Sequence, residues 1–271
     1  MPTMNRITNL FQHKKNNILN IYFTAGYPQL ADTERIIVSL ANSGADLIEI
    51  GMPFSDPLAD GPVIQQSSEI ALANGMNLSL LFEQISNARA QLKPSPLGKQ
   101  KGEIPMVMMG YVNQVMQYGV ERFLSEAAAA GVDGMILPDL PLEIYERELK
   151  VLFEKYNLKM CFLITPQTPE VRMRNIETLS DGFIYIVSSA ATTGGSSGFG
   201  AAQLAYFQQI KDMNFSKPTL IGFGISSHES YKSACNYANG AIIGSAFIKM
   251  LGKSEDLEND IKGFVEGIKV G

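Results

Sequence analysis

The sequence is poor in the residues that build disulfide frameworks and metal sites: its 271 residues include two cysteines, two histidines and no tryptophan. Cys161 and Cys235 are too few for a disulfide framework or a cysteine-ligated cluster, and we expect both to be buried thiols without a chemical role. His13 and His228 lie far apart and show no metal-binding spacing. We therefore expect no metal site.

Positive charge and long apolar runs are also scarce. The chain has 22 Lys and Arg against 27 Asp and Glu, which argues against nucleic acid or an anionic membrane as its partner. No apolar run reaches the ~18 residues of a membrane span, and the first residues lack the pattern of a signal or transit peptide. Because 45% of the residues are hydrophobic, a large core is available, and we expect a soluble, cytoplasmic protein.

Short apolar runs recur along the chain, each followed by a loop rich in glycine or proline and by a segment of helical periodicity. Their continuous apolarity is typical of parallel strands buried on both faces. The predicted strands are 18–25, 47–51, 105–110, 134–137, 159–164, 182–188, 218–222 and 240–244. Eight such units predict an α/β fold, a (β/α)₈ TIM barrel, as one domain over 1–271. An open doubly wound sheet is the alternative, because closure cannot be deduced from sequence.

Helices are predicted between these strands, and two more are predicted outside the regular alternation. The regular ones include 32–43, 121–130, 143–156 and 169–180, the last with Pro169 as its first helical residue. An additional N-terminal helix is predicted near residues 4–13, and another after Pro62, where strands two and three lie far apart. Residues 94–103 are interpreted as an exposed, flexible insertion.

Glu49 is the first candidate for chemistry, because it is a carboxylate inside the apolar strand 47–51. A charged carboxylate among leucine and isoleucine is costly unless it is paired, and this strand contains no Lys or Arg. Desolvation raises the pKa of such a group towards neutrality, as a general acid/base requires. A structural ion pair with a distant cation is the alternative.

The loop after this strand carries two further carboxylates. Asp56 precedes Pro57 and is typical of a turn. Asp60 precedes Gly61, where a carboxylate either lies near a helix N-terminus or serves as a catalyst. Paired carboxylates at a barrel mouth also suit glycoside hydrolysis, although the absence of tryptophan for sugar stacking weighs against it.

Glycine- and serine-containing turns follow the last two predicted strands, at 222–227 and 243–246. Glycine allows close approach of a ligand, and a serine that opens a helix leaves free N–H groups, which is how barrels bind phosphate after strands seven and eight. Ordinary tight turns with serine caps are the alternative. The spacing does not match a dinucleotide-binding fingerprint.

A long uncharged loop at 188–200, rich in Gly, Ser and Thr, follows the sixth predicted strand. Such a loop is typical of a lid that closes over a ligand, and a disordered spacer is the alternative. Ordering a dozen residues costs on the order of 10 kcal/mol of backbone entropy. We therefore expect a ligand or a partner to drive its closure.

The stretch LIEIGMPFSDPLADGPVIQ at 47–65 resembles the signature of the tryptophan synthase alpha subunit family, and the resemblance extends over the whole chain. Further matching segments are YFTAGYP at 22–28, MGYVN at 109–113, PDLP at 138–141, TG at 193–194, GFGI at 222–225 and GS at 244–245. The resemblance implies a TIM barrel that cleaves indole-3-glycerol phosphate to indole and glyceraldehyde 3-phosphate, as the alpha subunit of an α₂β₂ complex.

The same resemblance implies a role for each matching residue. Glu49 corresponds to the catalytic general acid/base and Asp60 to its partner carboxylate. Residues implied in substrate binding are Tyr22, Tyr111, Tyr185 and Thr193; in phosphate binding, Gly194, Phe223, Gly224, Gly244 and Ser245; and in contact with the beta subunit, Pro53 and Asp56. No cofactor is implied in this chain, and pyridoxal phosphate is expected in the beta subunit.

Two features depart from the family pattern, and two other functions stay open. The lid segment SAATTG at 189–194 lacks the Arg and the first Gly of the usual Arg-Xaa-Gly-Val-Thr-Gly, and the insertion at 94–103 is longer than usual. A different phosphate-binding barrel, such as an isomerase of phosphoribosyl compounds, is disfavoured by PFSDPLADGP at 53–62. A non-catalytic regulator of the beta subunit is disfavoured by the intact Glu49 and Asp60.

Overall fold

A computed structural model of the chain describes residues 4–57, 60–92, 103–188 and 199–271. Most of the predicted insertion at 94–103 and of the predicted lid at 188–200, including Thr193 and Gly194, lies outside the described residues. Expectations about those two segments therefore stay predictions.

The described strands form one sheet in which every pairing is parallel. The strands are β1 (Ile18–Thr24), β2 (Leu47–Gly51), β3 (Met106–Met109), β4 (Gly134–Ile136), β5 (Lys159–Met160), β6 (Leu163–Ile164), β7 (Ile184–Val187), β8 (Thr219–Gly222) and β9 (Gly240–Ile243). Their order in the sheet is β5-β4-β3-β2-β1-β9-β8-β7-β6.

The two edges of this sheet, β5 and β6, belong to one segment of chain, the predicted strand 159–164. On one side, the N–H of Cys161 donates to the carbonyl of Met135 at 3.0 Å. On the other, the carbonyl of Phe162 accepts from the N–H of Tyr185 at 2.9 Å. Because one continuous segment pairs with both neighbours, the sheet closes into a (β/α)₈ barrel. The predicted fold class is confirmed, and the open-sheet alternative is wrong.

The helices surround the sheet, and they include the two predicted outside the regular alternation, one before the first strand and one that begins at Pro62. They are α1 (Arg6–His13), α2 (Asp32–Ser43), α3 (Pro62–Ala73), α4 (Leu78–Gln91), α5 (Val112–Tyr118), α6 (Val120–Ala130), α7 (Leu142–Ile144), a π-helical turn (Tyr145–Leu149), α8 (Lys150–Lys155), α9 (Glu170–Leu179), α10 (Ala201–Asp212), α11 (His228–Cys235), α12 (Ser245–Leu251) and α13 (Leu257–Val270). Pro169 is the N-cap of α9 rather than its first helical residue, because its ψ of 149° is extended.

Strand alternation decides which side chains enter the barrel. Ile18 and Tyr22 of β1 and Leu47 of β2 pack in one interior cluster with residues of the other strands. Since side chains of a strand alternate between its two faces, Asn20 and Glu49 also face the interior. Helix α1 contributes apolar side chains to that cluster as well. The interior is therefore apolar apart from a few polar groups, among which Asn20 and Glu49 are fully buried.

The two cysteines are free, as expected, but only one of them is fully enclosed. Cys161 is buried and Cys235 is half-buried. Cys235 lies at the end of α11, where a helix packs on the outside of the barrel and keeps one side near solvent. The expectation of two buried thiols holds for Cys161 alone.

Candidate active site

Glu49 is enclosed in the barrel interior, with 0% of its surface exposed. The side-chain amide of Asn20 donates from Nδ2 to Glu49 Oε2 at 2.7 Å. Burial raises the pKa of Glu49 from its usual 4.5 to about 8; the Asn20 hydrogen bond opposes that rise and the charge of Asp60 adds to it. No ion pair to Glu49 occurs among the described residues. The carboxyl group therefore carries a proton at neutral pH and is able to donate it.

Asp60 lies at the mouth of the barrel, close enough to Glu49 to influence its ionisation. The phenol of Tyr111 donates to Asp60 Oδ2 at 3.1 Å. Burial raises the pKa of Asp60 from its usual 3.8 to about 6, and the Tyr111 hydrogen bond limits that rise. The N-cap of α3 is Gly61, and no side-chain cap is found there. Asp60 thus holds its charge at neutral pH without capping the helix.

Two tyrosines from separate parts of the barrel, Tyr22 on β1 and Tyr185 on β7, are buried close to these carboxylates. Burial first, and then the charges of Glu49 and Asp60, raise the pKa of both phenols well above 10. Both hydroxyl groups therefore stay protonated at neutral pH. They are available as hydrogen-bond donors beside the carboxylates.

Each of these tyrosines packs against a glycine that ends the neighbouring strand. A Cβ atom at Gly51 would lie 2.2 Å from the phenol oxygen of Tyr22, and one at Gly222 would lie 2.3 Å from that of Tyr185. Any larger residue would therefore push the ring away from its position. Sequence reasoning missed both glycines as supports of the site, and their only signal was their position as the last residue of a strand.

We expect Gly51→Ala to displace Tyr22 and to disturb the site. The overlap is expected to cost about 1–3 kcal/mol in free energy of unfolding, the usual range for overpacking a core. Because Tyr22 lies beside Glu49 and Asp60, catalytic activity is expected to fall at least ~10-fold, a loss of about 1.4 kcal/mol in transition-state stabilisation. Urea unfolding and steady-state kinetics measure the two effects.

Gly267→Ala is the matched control, because a Cβ at Gly267 in α13 would meet nothing within 4 Å. This variant is expected to keep full activity and to gain roughly 0.5–1 kcal/mol from the better helix former. Equal behaviour of the two variants would show that Gly51 does not fix Tyr22.

A pocket opens beside Asp60 and is lined mainly by aromatic and apolar side chains. Its lining residues are Tyr22, Met52, Phe54, Pro57, Asp60, Ser68, Met109, Gly110, Tyr111 and Pro138. The rings of Phe54 and Tyr111 are 5.0 Å apart between centroids. The lining thus combines one carboxylate with apolar and aromatic side chains, and this is the chemistry that recognises an N–H donor on an aromatic ring.

The candidate phosphate residues lie at the carboxyl ends of β8 and β9, which are adjacent in the sheet. Phe223 and Gly224 have φ angles of 69° and 75°. The left-handed conformation is unfavourable for phenylalanine and is a mark of functional loops. Ser188 Oγ donates to the carbonyl of Phe223 at 2.7 Å and supports this turn.

Gly244 and Ser245 open the second of these turns, with Gly244 as the N-cap of α12. Gly224 and Ser245 are both exposed. A Cβ at Gly244 would approach Tyr22 Cδ1 to 3.2 Å, so a side chain there meets the Tyr22 ring. The four described phosphate candidates therefore gather at one side of the mouth.

The two residues expected to contact a partner differ in their exposure to solvent. Asp56 is exposed at the tip of the loop after β2, where Ser55 Oγ donates to its Oδ2 at 2.7 Å. Pro53 is buried within the chain, and its carbonyl accepts from Gln114 Nε2 at 2.9 Å. In this structure Asp56 is the accessible member of the pair.

In the described part of the chain, no group of three or more His, Cys, Asp or Glu side chains gathers in a metal-binding arrangement. None of the described helices is both long and apolar enough to cross a bilayer.

Comparison with known proteins identifies similar chains over almost the whole length. The family model of the tryptophan synthase alpha chain matches residues 8–268. The tryptophan synthase alpha chain of Flavobacterium johnsoniae is 53% identical and covers 98% of this chain and 100% of its own length. That of Christiangramia forsetii is 50% identical, with coverages of 98% and 99%.

Solved structures show the same likeness. The tryptophan synthase alpha subunit of Legionella pneumophila superposes with a TM-score of 0.85 at 30% identity, covering 98% of this chain and 97% of its own. A chain of the tryptophan synthase complex of Pyrococcus furiosus superposes with a TM-score of 0.82 at 32% identity, covering 94% and 98%.

Proposed function

The chain belongs to the tryptophan synthase alpha chain family, and on that premise we propose how its buried carboxylates carry out the alpha reaction. That reaction cleaves indole-3-glycerol phosphate to indole and glyceraldehyde 3-phosphate, which makes the chain a carbon–carbon lyase of tryptophan synthesis. The observation that carries the mechanism is a buried, protonated Glu49 whose ionisation is influenced by Asp60, an ionised carboxylate in the wall of an aromatic pocket.

The cleavage requires two proton transfers and the stabilisation of one positive charge. Glu49 in its acid form delivers a proton to C3 of the indole ring. The resulting carboxylate then accepts the proton of the side-chain hydroxyl next to C3, and the C3–C bond breaks to give indole and an aldehyde. Because the proton lost by Glu49 is regained, the enzyme returns to its starting state. A carboxyl pKa near neutrality serves both steps.

Asp60 can stabilise the positive charge that develops on the indole ring. Protonation at C3 makes the ring nitrogen electron-poor and its N–H strongly acidic. An ionised carboxylate that accepts this N–H stabilises the charge where it develops. Tyr111, which holds Asp60 Oδ2, fixes the position of the acceptor, and its ring forms the wall of the slot.

The glycerol phosphate end of the substrate is assigned to the turns after β8 and β9. Backbone N–H groups of Gly224, Gly244 and Ser245 are proposed to bind the phosphate, as in other barrels. Phe223 lies beside Tyr185, with ring centroids 6.1 Å apart, and links this end to the carboxylates. The roles of Thr193 and Gly194 stay predictions.

We further propose that the chain acts with a beta subunit in an α₂β₂ complex. The Pyrococcus furiosus structures it resembles come from a tryptophan synthase complex, described as an α₂β₂ assembly with mutual activation. Asp56 on the exposed loop, and Pro53 at its base, are proposed to lie at that contact. In this proposal the alpha reaction uses side chains of this chain, and pyridoxal phosphate belongs to the beta subunit. The cytoplasmic location stays a prediction.

The proposed function is tested by the release of indole from indole-3-glycerol phosphate, with and without a tryptophan synthase beta subunit. We expect turnover by the chain alone, and at least a tenfold higher rate in the complex. Absence of turnover in both conditions, with the complex formed, would indicate a regulator of the beta subunit instead. Turnover of a phosphoribosyl substrate in place of indole release would indicate the isomerase alternative.

The two carboxylate pKa values predict a bell-shaped dependence of kcat/KM on pH. Asp60 is ionised above about pH 6, and Glu49 is protonated below about pH 8. The reactive pair, ionised Asp60 with protonated Glu49, is therefore populated mainly between these values. The value of kcat/KM is expected to fall below about pH 6 and above about pH 8, and a series of kcat/KM measurements over pH tests this. Activity still rising above pH 9 would contradict the assignment of Glu49 as the proton donor.

A further inference from the structure

Asn20 is an amide in a strand whose other interior and exterior positions are mostly apolar. It lies on β1 between Leu19 and Ile21, and 0% of its surface is exposed. Burial of an amide costs free energy unless hydrogen bonds replace those to water. An aliphatic residue would fill this position equally well. The presence of an amide therefore indicates a role other than packing.

The hydrogen bond described for this amide goes to a single atom of Glu49. Asn20 Nδ2 donates to Glu49 Oε2 on the neighbouring strand at 2.7 Å. For the two remaining oxygens, Asn20 Oδ1 and Glu49 Oε1, no hydrogen-bond partner is found in the described part of the chain. The pair is thus connected by one atom from each side chain, and Oε1 is the buried carboxyl oxygen that no described residue hydrogen-bonds.

We propose that Asn20 is a positioning residue for Glu49: it holds Oε2 in place and leaves Oε1 to exchange the proton with the substrate. The inference rests on the proposed function, which it deepens by assigning the two oxygens different tasks. An amide suits both states of the carboxyl group. Its N–H donates to the ionised form, and after rotation its carbonyl accepts from the protonated form.

The other groups that face Glu49 do not replace this contact. Asp60, Tyr22, Tyr185 and Cys161 all interact electrostatically with Glu49. Asp60 is an anion, and burial raises the pKa of the two phenols and of the thiol, so these three stay neutral at pH 7. Unlike these four groups, Asn20 favours the ionised carboxylate. Its hydrogen bond therefore limits the rise in the Glu49 pKa that burial causes.

The test measures the ionisation of Glu49 directly, without substrate. The protein is labelled with ¹³C at the glutamate side-chain carboxyl carbon, and the Glu49 signal is assigned by its loss in Glu49→Gln. Asn20→Leu keeps a similar volume but removes the donor. We expect its titration midpoint to rise by about one to two pH units, the equivalent of one charge-assisted hydrogen bond. In kinetics, kcat is expected to fall more than KM changes, and the alkaline limit should move upwards with the midpoint.

Two further variants separate positioning from packing. Asn20→Asp keeps the shape of the amide and replaces its N–H₂ by an oxygen, so two carboxyl groups would share a proton and the midpoint should rise further. Asn5→Leu removes another buried asparagine, one that hydrogen-bonds the carbonyls of Asp133 and Asn157, and should leave the Glu49 midpoint unchanged. If Asn20→Leu does not fold, Asn20→Ala, which also removes the donor without adding a charge, takes its place.

A Glu49 midpoint that is unchanged in Asn20→Leu, or in Asn20→Ala where that variant replaces it, would overturn the proposal and assign Asn20 a packing role. The outcome is independent of the proposed function. If the wild-type protein releases no indole and yet the midpoint moves as expected, the proposed function fails while the positioning of Glu49 by Asn20 stands.

Discussion

Glu49→Gln is expected to abolish measurable cleavage of indole-3-glycerol phosphate. Glutamine has the size of glutamate and can still meet Asn20, but it can neither deliver the proton to C3 nor accept the hydroxyl proton. Removal of one positioned acid/base function typically costs about 10²–10⁴-fold, and Glu49 is assigned two. We therefore expect a loss of at least ~10⁴-fold in kcat, measured by single-turnover release of indole.

The pH dependence of the free energy of unfolding shows whether the Glu49→Gln variant is folded. Burial raises the pKa of Glu49 from its usual 4.5 to about 8, so the folded state binds this proton more tightly than the unfolded state. The stabilisation that results is complete below about pH 4.5 and is lost as the pH rises through about 8. The substituted glutamine does not ionise, and the variant should be at least as stable as the wild type at pH 8. An inactive variant that is also unfolded would not support the catalytic role, and wild-type turnover would refute it.

Asp60→Asn is expected to reduce kcat by about 10²–10³-fold, the usual effect of losing one preorganised electrostatic contact at a developing charge. The amide oxygen of asparagine can still accept from Tyr111, and therefore the pocket wall stays in place. What is lost is the negative charge that stabilises the electron-poor indole nitrogen. Because the charge of Asp60 also raises the pKa of Glu49, the alkaline limit of activity should move to lower pH.

Tyr111→Phe is the matched comparison for this substitution. It keeps the ring of the pocket wall and removes the hydrogen bond that limits the pKa of Asp60. The acidic limit of kcat/KM is then expected to move above pH 6, with a smaller loss in kcat than in Asp60→Asn. Full activity in Asp60→Asn, with pH limits unchanged, would leave Asp60 without the role proposed for it.

Much of the candidate site could be predicted from the sequence because its residues follow strands. Glu49 stands out as a carboxylate within an apolar run, and Asp60 as a carboxylate in the loop that follows it. Their shifted ionisation follows from burial, which the neighbouring residues already indicate. The sequence did not distinguish whether Asp60 caps α3. The structure shows no side-chain cap at that helix, and Asp60 instead accepts a hydrogen bond from Tyr111, 51 residues away.

The contacts that support the site residues could not be predicted from the sequence. Asn20 was visible as a polar interruption of the first strand, but its partner lies 29 residues away and is reached only when β1 and β2 pair. The fit of Tyr22 to Gly51 likewise depends on strand register, in which Tyr22 stands opposite Glu49 and Thr24 opposite Gly51. A one-residue change in that register would turn the same side chains to the other face.

The sequence by itself determined which segments form the strands and that these strands are parallel, the enclosed position of Glu49 and the family to which the chain belongs. Each of these depends on consecutive residues, since burial on both faces leaves a continuous apolar run and a catalytic loop leaves a contiguous motif. The tertiary structure alone decided the closure of the sheet through Cys161 and Phe162, and which oxygen of Glu49 is held. Both depend on atoms from distant segments meeting within hydrogen-bond distance, and that distance is fixed by strand register and barrel packing rather than by local sequence.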